Sequence, residues 1–170
     1  MIRNTVSCLA KPLLAFLVLG LVFGGAFTAR ADTEFTQKIK QAMVAMKAES
    51  AKLGPAKVAG GDLMFGTTKI NDNYELVDSL KAKFGCTATF FVKKSDAYMR
   101  VSTNVMKDGK RAVGTPLDPS GPAIAAIRQG KAHYGIVDIL GRMYDTAYEP
   151  IKNAAGEIIG VYYIGVPLEK

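Results

Sequence analysis

The chain has 170 residues, 49% of them hydrophobic, with 22 Lys+Arg against 15 Asp+Glu and a formal net charge of +7. This length holds about one domain. The ordinary apolar and charged fractions exclude disorder, collagen-like repeats and a polytopic membrane protein.

Residues 1–31 read as an export leader. Arg3 and Lys11 give a positive start, Leu13 to Phe27 an uncharged apolar run, and Ala29-Arg30-Ala31 a small-x-small cleavage pattern. An uncleaved inner-membrane anchor is the alternative, although the run is short of the ~20 residues of a spanning helix. Cleavage after Ala31 removes 31 of 170 residues and leaves 139, starting at Asp32. The expected location is the periplasm or the exterior. Arg3, Lys11 and Arg30 depart with the leader, so 19 of the 22 basic residues face 15 acidic ones, a net charge of +4. Lys93-Lys94 and Lys110-Arg111 are the only adjacent basic pairs in this part. A nucleic-acid partner needs a clustered basic face, and none is expected here. Cys8 also departs, leaving Cys86 without a partner for an intramolecular disulfide. It reads as a small hydrophobe in a strand, with an intermolecular bridge or a reactive thiol as alternatives.

The first predicted element of the domain is a helix over 33–53. Phe35, Ile39, Ala42, Met43, Met46 and Leu53 recur at three- and four-residue spacing, and Gly54-Pro55 ends the pattern. The stripe suits either the core or a second copy of the chain, which leaves a homodimer through this helix open. Val58 to Asp62 reads as a loop and Leu63 to Ile70 as a short strand. A second helix, Tyr74 to Phe84, is capped by Asn71-Asp72-Asn73 and closed by Gly85. From Thr87 the apolar period becomes two, giving strands Thr87 to Lys93 and Ala97 to Val105 around Lys94-Ser95-Asp96. Asp108-Gly109 marks a further turn. Asp118-Pro119-Ser120-Gly121-Pro122 opens a third helix, Ala123 to Gln129, which Gly130 stops. Strands Ala132 to Leu140, Met143 to Ile151 and Glu157 to Val166 follow, with connections short enough to make them antiparallel neighbours. The fold class is α+β: a long N-terminal helix, then a five- to six-stranded antiparallel sheet with flanking helices.

Three stretches carry a family likeness: YMRVSTNV (98–105), GKRAVGTPLDPSGPAIAAIRQGKAHYG (109–135) and YEPIKNAAGEIIGVYYIGVPLE (148–169). With the segment 61–85, which contains GDLMFG and NDNYELVDSLKAKFG, they resemble single-Cache domains. These are the PAS-like extracytoplasmic sensors of bacterial chemoreceptors and sensor kinases. The resemblance covers residues 32–170 and implies a PAS-like body over 58–168 with a small-molecule pocket between sheet and overlying helix and loops. It also implies a small organic acid or amino acid as ligand. Family sensors usually continue into a transmembrane helix and a signalling module, whereas this chain ends at Lys170. Signalling is therefore expected to run through a separate membrane receptor or kinase.

Within the strand from Tyr98, strict alternation puts Tyr98, Arg100, Ser102 and Asn104 on one face. Arg100 is the sharpest candidate, because a planar guanidinium clamps a carboxylate through two parallel hydrogen bonds. Ser102 and Tyr98 flank it. Tyr134 and Tyr148, on later strands, suit an amphipathic pocket wall or plain sheet core. Asp138 either receives a ligand amine, which implies an amino acid, or balances Arg100, which implies a plain acid. His133, the only histidine, reads as structural. With no CxxCH, HExxH or GxSxG pattern, neither a cofactor, a metal site nor enzymatic chemistry is expected. The competing functional class is an interaction or dimerisation module whose pocket is vestigial.

Overall fold

A computed structural model describes residues 34–168, all within a unit that spans 32–170. The leader reading of residues 1–31 lies outside the described residues. Helix α1, Glu34–Lys52, buries Ile39, Ala42, Met43 and Met46, each at most 1% exposed. The methionine stripe is thus consumed by the chain's own core, and this face is not free to meet a second copy. Full burial of Ile39, Met43 and Met46 contributes about 1.5–3 kcal/mol each.

The region after α1 departs from expectation. The stretch read as a loop and one strand is a three-stranded meander: β1, Ala56–Ala59; β2, Asp62–Phe65; and β3, Thr68–Lys69. Gly60 and Gly61, at φ +60° and +85°, form the two-residue turn that joins β1 to β2. Such turns match the twist of the flanking strands but need left-handed backbone. The Gly-Gly pair between short β-forming runs was the available signal. Helix α2, Glu75–Phe84, starts where Asn73 Oδ1 accepts the Glu75 N–H at 3.2 Å. It stops where the Gly85 N–H reaches Lys81 O at 2.8 Å.

Strands β4, Thr87–Lys94, and β5, Ala97–Thr103, form a hairpin, with β5 ending two residues before the predicted Val105. A small hairpin of β6, Met106–Lys107, and β7, Lys110–Arg111, turns through Asp108-Gly109 as expected. Helix α3, Pro122–Arg128, precedes β8, His133–Ile139; β9, Arg142–Lys152; and β10, Ile158–Pro167. The main sheet is antiparallel, in the order β5-β4-β10-β9-β8. The architecture is the α+β class expected.

Two apolar layers sandwich this sheet. On one side α1, α2 and the β1–β3 meander pack Leu63, Phe65, Val77 and Leu80 against Phe90 and Tyr162. On the other, α3 and the 112–117 loop pack Leu117, Ile124 and Ile127 against Phe91, Tyr148 and Tyr163. Both layers are drawn entirely from residues 39–166, so the 32–170 unit carries its own core. Polar ties fix α1 to the sheet: Thr36 Oγ1 donates to Asp145 Oδ2 at 3.2 Å, and Lys47 Nζ sits 2.6 Å from Glu149 Oε2.

Two substitutions test this packing. A Cβ at Gly66, where φ is +57°, would lie 2.1 Å from Leu53 O. Gly66→Ala is expected to cost about 2–3 kcal/mol in chemical denaturation, and a loss under 0.5 kcal/mol would contradict the close approach. Cys86 is 1% exposed and burial pushes its thiol up to about 11. At pH 7.5 it should resist a thiol reagent in the native protein and react promptly once denatured.

Candidate functional site

The site begins with an irregularity in β5. Phe91 pairs with Arg100 and Phe90 with Ser102, so Val101 is an extra residue, a bulge. Alternation breaks there. Tyr98 and Arg100 face the α3 layer, while Ser102 and Asn104 turn to the α2 layer. Ser102 Oγ donates to Asn73 O at 2.6 Å, and Asn104 Nδ2 donates to Val77 O at 2.5 Å. Asn104 Oδ1 also accepts the Ala88 N–H at 2.7 Å. Ser102 and Asn104 are therefore structural ties between sheet and α2, and the expected shared face with Arg100 does not form.

Arg100 is 5% exposed. Its Nη1 donates to Thr115 Oγ1, whose own proton goes to Ala112 O at 2.7 Å. The guanidinium lies over the Phe91 ring, 5.1 Å from its centroid, a favourable cation–π geometry. Its Nε is buried with no hydrogen-bond partner, and no carboxylate of the described residues lies within 4.0 Å. Burial lowers its pKa, and Tyr163 and Tyr148 partly offset that. An arginine nonetheless stays charged in a protein. The result is a buried cation lacking a counter-ion.

Around it stands a polar-tipped aromatic wall. Strand register sets Thr103, Thr89, Tyr163, Tyr148 and His133 in one row across the sheet on this side. The rings of Tyr148 and Tyr163 are 5.0 Å apart, and those of His133 and Tyr148 are 6.2 Å apart. Tyr163 donates to Thr87 Oγ1 at 3.0 Å, since Thr87 spends its proton on Gly165 O. Burial raises the phenol pKa of Tyr148 and of Tyr163 far above the ordinary value, so both are neutral hydroxyls. His133 Nε2 is a second buried nitrogen without a partner, and burial lowers that imidazole's pKa. A guanidinium without a counter-ion beside a neutral Tyr148 phenol is chemistry suited to an anion.

Of the six candidates, the structure brings Tyr98, Arg100 and Tyr148 to one side of the sheet. Tyr98 is 3% and Tyr148 2% exposed. Ser102, Tyr134 and Asp138 lie elsewhere. Tyr134 pairs with Ala147 on the α1 side, is 44% exposed, and donates to Glu149 Oε1 at 2.5 Å. Asp138 is exposed on that side too, and its Oδ1 accepts the Gly141 N–H at 2.8 Å, pinning the β8–β9 turn. It neither balances Arg100 nor reaches the aromatic wall. Sequence reasoning missed Thr115 and Tyr163. The alternation of β10 could have flagged Tyr163; Thr115 opens the turn-rich stretch 115–122, which reads as a loop over the sheet, but nothing local marks its bond to Arg100. A cleft of about 270 Å³ between α1, β3 and α2, lined by Leu53, Ile70, Leu76 and Phe90, lies on the opposite side of the sheet. It holds no unpartnered buried polar atom, so Arg100 remains the centre of the candidate site.

A search of curated proteins finds no match to this chain. The family described as the Cache 3/Cache 2 fusion domain matches residues 22–170, nearly the whole sequence. Cache domains are extracytoplasmic sensory modules that bind small molecules. Together with the antiparallel sheet and its overlying helices, this match shows that the chain belongs to the Cache 3/Cache 2 fusion domain family.

Proposed function

We propose that this domain reversibly binds a small organic anion on Arg100, without chemistry, and passes the bound state to a separate membrane receptor or kinase. The observation that carries the reading is the buried guanidinium whose Nε has no partner, set beside Tyr148 and Tyr163. A carboxylate supplies the missing counter-charge and accepts two parallel N–H bonds. The neutral Tyr148 phenol suits a remaining oxygen lone pair, while the Tyr163 proton is already given to Thr87 Oγ1. A plain acid is favoured over an amino acid, because Asp138 stands on the other side of the sheet. Asp118, nearer the site, has its Oδ1 engaged by the Ser120 N–H at 2.9 Å and hydroxyl at 3.2 Å.

The reading includes export, with cleavage after Ala31 and action in the periplasm. A carboxylate that bridges Nε–H and Nη2–H would leave the Nη1–Thr115 bond in place and pack against the Thr115 segment. Thr115 sits on a segment strapped along β5, through Arg100 N–H to Thr115 O at 2.9 Å and Gly114 N–H to Arg100 O at 2.8 Å. Arg111, four residues earlier, makes a two-bond clamp on Asp78 of α2 at 2.9 and 2.8 Å. A ligand that shifts this segment therefore acts on a strand of chain anchored to α2.

Thermal-shift screening of the 32–170 unit against short carboxylates, their amides and amino acids tests the proposal. A carboxylate at a hundred times its dissociation constant should stabilise the domain by about 2.7 kcal/mol, and its amide should not. Arg100→Met should lose this response while remaining folded. Ligand-free, it should be about 1 kcal/mol more stable than wild type, because an unpaired buried charge is gone. If no compound shifts the transition, the vestigial-pocket reading replaces this one. A carboxylate response that survives Arg100→Met refutes the anchor.

A further inference from the structure

The two edges of the main sheet are finished differently. Along β5 the outer row of backbone groups is covered. Leu117 N–H reaches Tyr98 O at 2.8 Å, and Asp72 N–H reaches Val101 O at 2.9 Å, beside the Thr115 and Gly114 bonds already described. At the other edge β8 pairs only with β9, and no backbone segment of the described residues covers its outer side. Edge strands are ordinarily blunted by lysine, proline, a bulge or a covering loop. The β8 sequence HYGIVDI has none of these and a single charge, Asp138. It is rich in aromatic and β-branched residues, and its α1-side face leaves Tyr134 44% and Ile136 55% exposed, with Met143 of β9 46% exposed beside them.

We propose that this edge is an interface with a second copy of the chain. In it, β8 pairs antiparallel with the partner's β8 about a two-fold axis at Ile136, joining two five-stranded sheets. A self-complementary surface is what a two-fold contact requires, and the strand supplies one. Ile136 is the middle residue of 133–139, so an axis there gives every residue of the strand an opposite number. The two Ile136 side chains meet on the α1 side. Tyr134, whose hydroxyl already donates to Glu149 Oε1, stands opposite the partner's Asp138, so no like charges meet. Moving the axis to Asp138 would set two carboxylates directly opposite, which is unfavourable. Moving it by one residue would set Ile136 against Asp138 or Tyr134 and leave a strand end unpaired.

Cysteine cross-linking and sedimentation of the 32–170 unit test this. Directly opposite residues in an antiparallel pair have Cβ atoms about 4.5–5.5 Å apart, near disulfide range. Ile136→Cys should give a covalent dimer under mild oxidation, whereas Val44→Cys, 68% exposed on α1, should not. Cys86 is buried and does not compete. In analytical ultracentrifugation at tens of micromolar, wild type should sediment as a dimer and Ile136→Lys as a monomer with an unchanged far-ultraviolet circular dichroism spectrum. A monomeric wild type overturns the proposal, as does an Ile136→Lys variant that stays dimeric. Cross-linking at Val44→Cys but not Ile136→Cys also overturns it, and assigns the contact to α1. None of these readouts depends on a ligand, so the result stands apart from the fate of the Arg100 proposal.

Discussion

A guanidinium held at 5% exposure with no carboxylate against it is the interaction around which this domain is arranged. Burying a single charge costs several kcal/mol even after local relaxation, and the surroundings offset only part of that. The Phe91 ring offers its negative face, and the Thr115 hydroxyl accepts one N–H. Nε remains unanswered. A protein under selection for stability alone would place methionine or leucine at such a position. The cation is intelligible as one half of an ion pair whose other half arrives from solution, as the proposed function requires.

One extra residue in β5 makes that placement possible. The bulge at Val101 lets the strand send Arg100 into the α3 layer and Ser102 and Asn104 into the α2 layer. The same strand thus carries the proposed anion site and the ties to α2. Asn104 joins Ala88 of β4 to the Val77 carbonyl of α2, and Arg111 stacks on Tyr74 at 4.3 Å while gripping Asp78. Helix α2 in turn shares a core with α1 through Met43, Met46, Val77 and Leu80. Contacts run unbroken from the Thr115 segment to the long helix.

Much of this was legible from local pattern. The spacing of Ile39, Met43 and Met46 marked α1, Gly85 closed α2, and Asp108-Gly109 turned a hairpin where expected. What failed was relational. Alternation says which residues of one strand share a face, but matching faces between strands needs the cross-strand register. Pairing of His133 with Tyr148 puts Tyr134 and Asp138 on the α1 side, away from Arg100. The bulge is likewise a property of β5 against β4, with no mark in YMRVSTNV itself. Thr115 was invisible for a third reason: its role comes from a loop that pairs irregularly with a sheet edge, a contact no periodicity encodes. The recognised family pattern carried the fold correctly.

The most direct measurement is the side-chain Nε–H resonance of Arg100, followed by nuclear magnetic resonance while a short carboxylate is titrated into the 32–170 unit. The account predicts that this resonance moves downfield and exchanges more slowly with water as the carboxylate takes the unpaired hydrogen. If the ligand binds, shifting resonances elsewhere, and the Arg100 Nε–H stays where it was, the central claim is contradicted.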